Sequence, residues 1–106
     1  MVDHAAPGPA ARDFSIFLRV VNGRLIVRVV GELDLVTVPM LDRVLHAHPE
    51  HVTIDARDLT FIDAHALGVL VAANSRTGVS VRHARPHCRR VFVVCALGHL
   101  LDDGPS

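Results

Sequence analysis

A chain of 106 residues has room for one hydrophobic core and excludes a second, catalytic domain. Half of its residues are hydrophobic, yet Arg, Asp, Gly or His interrupts every apolar run well short of the roughly 20 residues that cross a bilayer, so no membrane insertion is expected. Eleven basic residues balance eleven acidic ones, and the average field near neutral pH therefore draws in neither nucleic acid nor an anionic membrane surface.

Residues 1–13, with Asp3 and His4 early and Pro7, Gly8 and Pro9 in the middle, read as a flexible N-terminal tail. No basic stretch precedes an apolar block there, so a cytoplasmic location is the expectation. Ile16, Leu18 and Val20 then alternate with Ser15, Phe17 and Arg19, the period of a strand with one core face. Asn22-Gly23 closes a tight primed turn, and Leu25, Val27 and Val29 make the second strand of an antiparallel hairpin. Gly31-Glu32-Leu33-Asp34 reads as a turn. Thr37 is the expected cap of a helix that tolerates Pro39 in its first turn and buries Val38, Leu41, Val44 and Leu45.

Val52-Thr53-Ile54-Asp55 is short and β-branched, which suits a central strand, and residues 56–60 read as a loop. Phe61 and Ile62 dock that loop on the core. Asp63 is the expected N-cap of a largely buried helix from Ala64 to Arg76, with Gly78 just past its end. Val79 and Val81 alternate with Ser80 and Arg82 in a fourth strand. Pro86 opens a last helix through about Leu97, with Val91, Val94 and Cys95 on its core side and residues 103–106 as a C-terminal tail.

The order of elements predicts an α/β fold: a four-stranded mixed sheet, its edge hairpin strand antiparallel and the rest parallel, packed with three or more helices. Serines and threonines lack any nucleophile-elbow or triad context and no glycine-rich phosphate loop occurs, which argues against an enzyme and against a cofactor. His46, His48 and His51 are dense enough to consider as zinc or nickel ligands, but Pro49 and the change from helix to strand work against their convergence, so no metal is expected. The basic run Arg82, His83, Arg85, His87, Arg89, Arg90 has no interleaved aromatic residues for base stacking and reads as a solvated strand end and helix start. Cys88 and Cys95 lie too far apart on one helix to bridge. Cys95 reads as a buried hydrophobe, and Cys88, near a helix start and Arg89, as a thiol whose pKa could be lowered.

Four segments together resemble one family: Gly31-Glu32-Leu33-Asp34 with Thr37, Val52-Thr53-Ile54-Asp55, Phe61-Ile62-Asp63 followed by Leu67-Gly68, and Val91 onward to Ala96-Leu97-Gly98. They look like a STAS domain, the fold of anti-sigma factor antagonists, spanning residues 14–102. The resemblance implies a module that binds an anti-sigma factor, itself a GHKL-type kinase-like protein, to regulate transcription, with no direct nucleic-acid contact and with a homodimer left open. It places the partner surface at Asp34, Thr37, Asp63, Ala64, His65, Ala66 and Leu67. In that family the residue after the aspartate matching Asp63 is usually a serine or threonine that the partner phosphorylates. Here it is Ala64, which cannot accept phosphate, and His65 and Ala66 replace the usual small hydroxyl residue and glycine. The alternative implied by the same fold is an accessory STAS subunit of a transporter, such as a lipid-trafficking ABC system.

Overall fold

The computed structural model describes residues 14–102; the expected tails, 1–13 and 103–106, lie outside the described residues. Asn22 and Gly23 both have positive φ, 53° and 78°, which is the two-residue primed turn whose twist matches that of its flanking strands. It joins β1 (Ser15–Val21) to β2 (Arg24–Leu33) in an unbroken antiparallel register from Ser15↔Val30 to Val21↔Arg24. The helices α1 (Val38–Ala47), α2 (Ala64–Arg76) and α3 (Pro86–Val94) follow, interleaved with β3 (Val52–Asp55), β4 (Leu59–Ile62) and β5 (Val79–Arg82). A short 3-10 helix, Gly98–Leu100, closes the described chain, with Leu101 bridged to Val81.

The strands run in the order β1-β2-β3-β5, all pairs parallel except β1–β2, and β4 pairs with β2 as well. The sheet therefore has five strands, where four are expected from the sequence. The extra one is short. β3 pairs with β2 at residues 25–28 and β4 with β2 at residues 31–33, so β4 carries on along the track of β3 after the break at residues 56–58. Gly31, at φ 107°, accordingly lies inside β2 and not in the expected turn: between Gly31 and Glu32 the register slips by one residue, Thr60 of β4 being the extra one, so the bulge belongs to β4.

Leu25, Val27, Val29 and Leu33 from β2, Val52 and Ile54 from β3, and Val79 and Val81 from β5 line one face of the sheet and are buried. Leu41 and Leu45 of α1, Leu67 and Leu70 of α2, and Phe92 of α3 complete that core, each near-complete burial of such a side chain contributing about 1.5–3 kcal/mol. Expectation and structure part at the margins. Leu18 and Val20 share the face of Val27 and Leu25 but are 48% and 62% exposed, because the helical cover does not reach the outermost strand. α2 buries only Ala66, Leu67, Leu70 and Ala73 and leaves Val71 exposed, so it is a one-sided helix.

α3 stops at Val94, earlier than expected. Ala96 adopts a left-handed φ of 61°, its N–H donates to the Val93 carbonyl, and the Leu97 N–H donates to the Phe92 carbonyl at 2.7 Å, the paired bonds of a Schellman terminus. The helix consequently seats Cys88 and Phe92 in the core, while Val94 is 78% exposed and Cys95 is at the surface. Both cysteines are free. Burial pushes the Cys88 thiol pKa up against a smaller opposing pull from Arg85, which reverses the lowered value anticipated from its position.

Candidate functional site

The segment between β2 and α1 folds on its own hydrogen bonds. Asp34 Oδ1 accepts from the backbone N–H of Val36 at 2.9 Å and of Thr37 at 3.0 Å, an Asx-type turn, while the Asp34 N–H donates to Thr37 Oγ1 at 2.9 Å. Thr37 Oγ1 donates in turn to the Glu32 carbonyl at 2.7 Å. Thr37 does occupy the N-cap position of α1, as expected, but its hydroxyl caps nothing; the Asp34 carbonyl instead receives the Val38 N–H. This knot holds Leu35 and Val36 at its tip, where they are 59% and 67% exposed.

Asp63 ties that tip to the neighbouring helix. Its Oδ1 accepts from the Ala66 N–H at 2.9 Å and caps α2, as the sequence pattern predicts, and its Oδ2 accepts from the Leu35 N–H at 3.2 Å. The Asp63 N–H donates to the Leu33 carbonyl, so the ends of β2 and β4 and the start of α2 form one hydrogen-bonded corner. Both carboxylate oxygens are engaged by backbone, and among the described residues Asp63 makes no bond to His65. Ala64 and His65 are exposed on the first turn of α2, whereas Ala66 and Leu67 are buried and form the floor beneath them.

Of the seven residues anticipated at this surface, three therefore shape it (Asp34, Thr37, Asp63), two present themselves (Ala64, His65) and two support it from inside (Ala66, Leu67). Leu35 and Val36 go unremarked in a reading by pattern, and Phe61, expected to dock on the core with Ile62, is instead exposed on β4 just before the corner, Ile62 alone being buried. A signal for the first two exists: two large apolar residues inside a four-residue Asp-to-Thr turn have no strand or helix to carry them into a core. The corner exposes Leu35, Val36 and Ala64 beside His65.

One hollow lies elsewhere. A shallow depression of about 470 Å³ is lined by Phe17, Ile26, Arg28, Asp55 and Arg57 among others, and none of the anticipated site residues borders it. Its guanidinium groups are partly neutralised: Arg28 Nη2 meets Asp58 Oδ2 at 2.7 Å and Arg57 Nε meets Asp55 Oδ1 at 3.3 Å. The histidines considered as ligands turn to separate partners, His46 to Asp42, His48 to Glu50, and His51 to Ser80 Oγ at 3.1 Å. No group of three or more His, Cys, Asp or Glu side chains among the described residues is arranged to hold a metal ion. The basic run at residues 82–90 packs α3 onto the neighbouring strand, with Arg85 Nε donating to the Arg57 carbonyl and His87 Nε2 within 2.7 Å of the Thr60 carbonyl oxygen. Among the described residues no helix is long and apolar enough to cross a membrane.

A mixed sheet with a helix start presented beside the β2–α1 corner defines the class. The family model described as Mlab, STAS domain, matches residues 17–102, and the chain belongs to that STAS family. No curated protein matches the chain in sequence. Among solved structures, an anti-sigma factor antagonist from Mycobacterium paratuberculosis superposes with a TM-score of 0.75 at 24% identity, covering 95% of this chain and 92% of the other. The anti-sigma factor antagonist SpoIIAA in its unphosphorylated form gives 0.71 at 20% identity, covering 86% and 89%. SpoIIAA of Bacillus in the phosphorylated form gives 0.67 at 19% identity, covering 86% and 92%. At these identities the likeness is one of fold.

Proposed function

We propose that this chain is a cytoplasmic binding module, not an enzyme, that docks an anti-sigma factor on the corner formed by Leu35, Val36, Ala64 and His65, and so regulates sigma-factor-dependent transcription. The observation that carries this reading is the exposure of Leu35, Val36 and Ala64 on a corner that Asp63 fixes by two backbone hydrogen bonds. A rigid apolar patch of this kind loses little entropy on binding and gains from leaving water. The solved anti-sigma factor antagonists of the same fold lend the partner class.

Control by phosphate is absent from this corner in the reading. A phosphoryl group on a residue 64 hydroxyl would sit at the free N–H groups of α2 and bring nearly two negative charges beside Asp63 and the apolar tip. Ala64 offers no oxygen to carry it. The partner, a GHKL-type kinase-like protein, then binds without a covalent off-switch at that position, and regulation passes to expression level and competing partners.

A second reading, an accessory STAS subunit seated on the ATPase of a transporter, uses the same corner. Its support is that the matching family model is described by Mlab and not by an anti-sigma factor antagonist. A pull-down from native extract separates the two: recovery of a GHKL-type protein supports the first, and recovery of a transporter ATPase without one replaces it by the second. Incubation of the chain with ATP and the captured kinase is expected to leave its mass unchanged, while Ala64→Ser gains one phosphate.

A further inference from the structure

We propose that β1 is a self-pairing edge, through which two copies of this chain dimerise by antiparallel β1–β1 addition centred on Leu18. β1 ends the strand order, and among the described residues its only partner is β2. The two-residue turn makes Val21 and Arg24 a hydrogen-bonded pair, and alternation along the ladder makes Arg19–Ile26, Phe17–Arg28 and Ser15–Val30 the others. The N–H and C=O groups of Ile16, Leu18 and Val20 therefore point away from β2, along the free edge.

Edge strands are ordinarily protected by lysine, proline, a bulge or a short length. β1 has seven residues, an unbroken register and no lysine or proline, and Arg19 is its only charge. Phe17, Leu18, Val20 and Val21 are all exposed. Such an edge invites a strand, and the chain's zero formal net charge sets no repulsion between two copies.

The occupant that fits is a second copy, because β1 is complementary to itself. With Leu18 on a twofold axis, Leu18 faces Leu18 and Ile16 faces Val20 of the other copy. All three are hydrogen-bonded pairs that use every free backbone group of the row. The apolar row that the helices leave uncovered on this face is then continued by the same row from the second molecule. On the opposite face Arg19 falls across from Phe17 of the other copy, not from its Arg19. Phe17 already receives the Arg28 guanidinium 5.5 Å from its ring centre within its own chain, so the ring gains a second cation. The β1 edge shares none of the residues of the α2 corner, and this inference does not depend on the function proposed for that corner.

Sedimentation equilibrium of the full chain should show a monomer–dimer equilibrium with a dissociation constant in the micromolar range, as befits an interface at the small end of the specific class. Leu18→Lys places two ammonium groups opposite each other at the axis and should weaken association at least tenfold, with the circular dichroism spectrum unchanged, since Leu18 is half exposed in the monomer. Leu18→Cys in a Cys95→Ser background should form an intermolecular disulfide under mild oxidant, because hydrogen-bonded antiparallel partners lie about 5.5 Å apart at Cα. A chain that stays monomeric at all concentrations, a dimer indifferent to Leu18→Lys, or a dimer in which Leu18→Cys does not cross-link would each overturn the proposal.

Discussion

The C-termini of α2 and α3 both turn on a left-handed residue, with different residues and different hydrogen bonds. Beyond α2, Gly78 takes the left-handed conformation at φ 94° and its N–H donates to the Asn74 carbonyl, while Asn74 Oδ1 accepts from the Val79 N–H at 2.9 Å. Beyond α3, the left-handed position is Ala96, and no side chain assists. Glycine reaches that conformation freely, whereas a β-carbon costs about 1–2 kcal/mol there. A helix end marked by glycine is legible in a sequence, and one forced by the packing of Phe92 and Leu97 is not.

This contrast explains most of the difference between expectation and structure. The hairpin at Asn22-Gly23, the core stripe of α1, the Asp63 cap and the Gly78 stop each carry a residue type whose chemistry points one way, and all are present. The long extent expected for α3 fails because Val91, Val94 and Cys95 match a helical apolar stripe as well as Cys88 and Phe92 do, and only the tertiary fit selects between them. β1 misleads in a similar way: its alternation is real, but the sheet extends one strand past its helical cover. At the candidate site the shaping residues Asp34, Thr37 and Asp63 are visible through their hydrogen-bonding groups, and the exposed Leu35 and Val36 are not, since apolar residues are by default assigned inward.

Exchanging the two termini tests the comparison directly. Gly78→Ala should be the most damaging change, costing about 2 kcal/mol in urea unfolding, because the new β-carbon meets both left-handed strain and His51 Nδ1 at 2.8 Å. At the opposite end of α2, Asp63→Ala removes the cap and the tether to Leu35 and should cost about 1 kcal/mol, with faster amide exchange at Leu35 than at α1. The reverse exchange, Ala96→Gly, should stabilise by about 0.5 kcal/mol, the relief of strain being partly offset by the freer unfolded chain. An unfolding midpoint that falls with Ala96→Gly would mean that α3 does not end as described.

The smallest effect is chemical. In the native state a maleimide should label Cys95 and spare Cys88 until the protein unfolds, since the Cys88 thiol is buried and its raised pKa keeps it protonated. A thiol whose folded pKa exceeds the unfolded value contributes stability below the ordinary cysteine range and loses it as pH rises through the folded pKa. Stability should accordingly decline in alkali, and Cys88→Ala should flatten that decline as measured by the unfolding midpoint.

The central claim concerns the corner at the start of α2, and one binding measurement addresses it most directly. Calorimetry of the captured anti-sigma factor with the wild-type chain and with Ala64→Glu, both folded, should show affinity reduced more than tenfold, about 1.4 kcal/mol, by a carboxylate placed beside Leu35 and Val36. Equal affinities for the two proteins would contradict the account and move the docking surface off this corner.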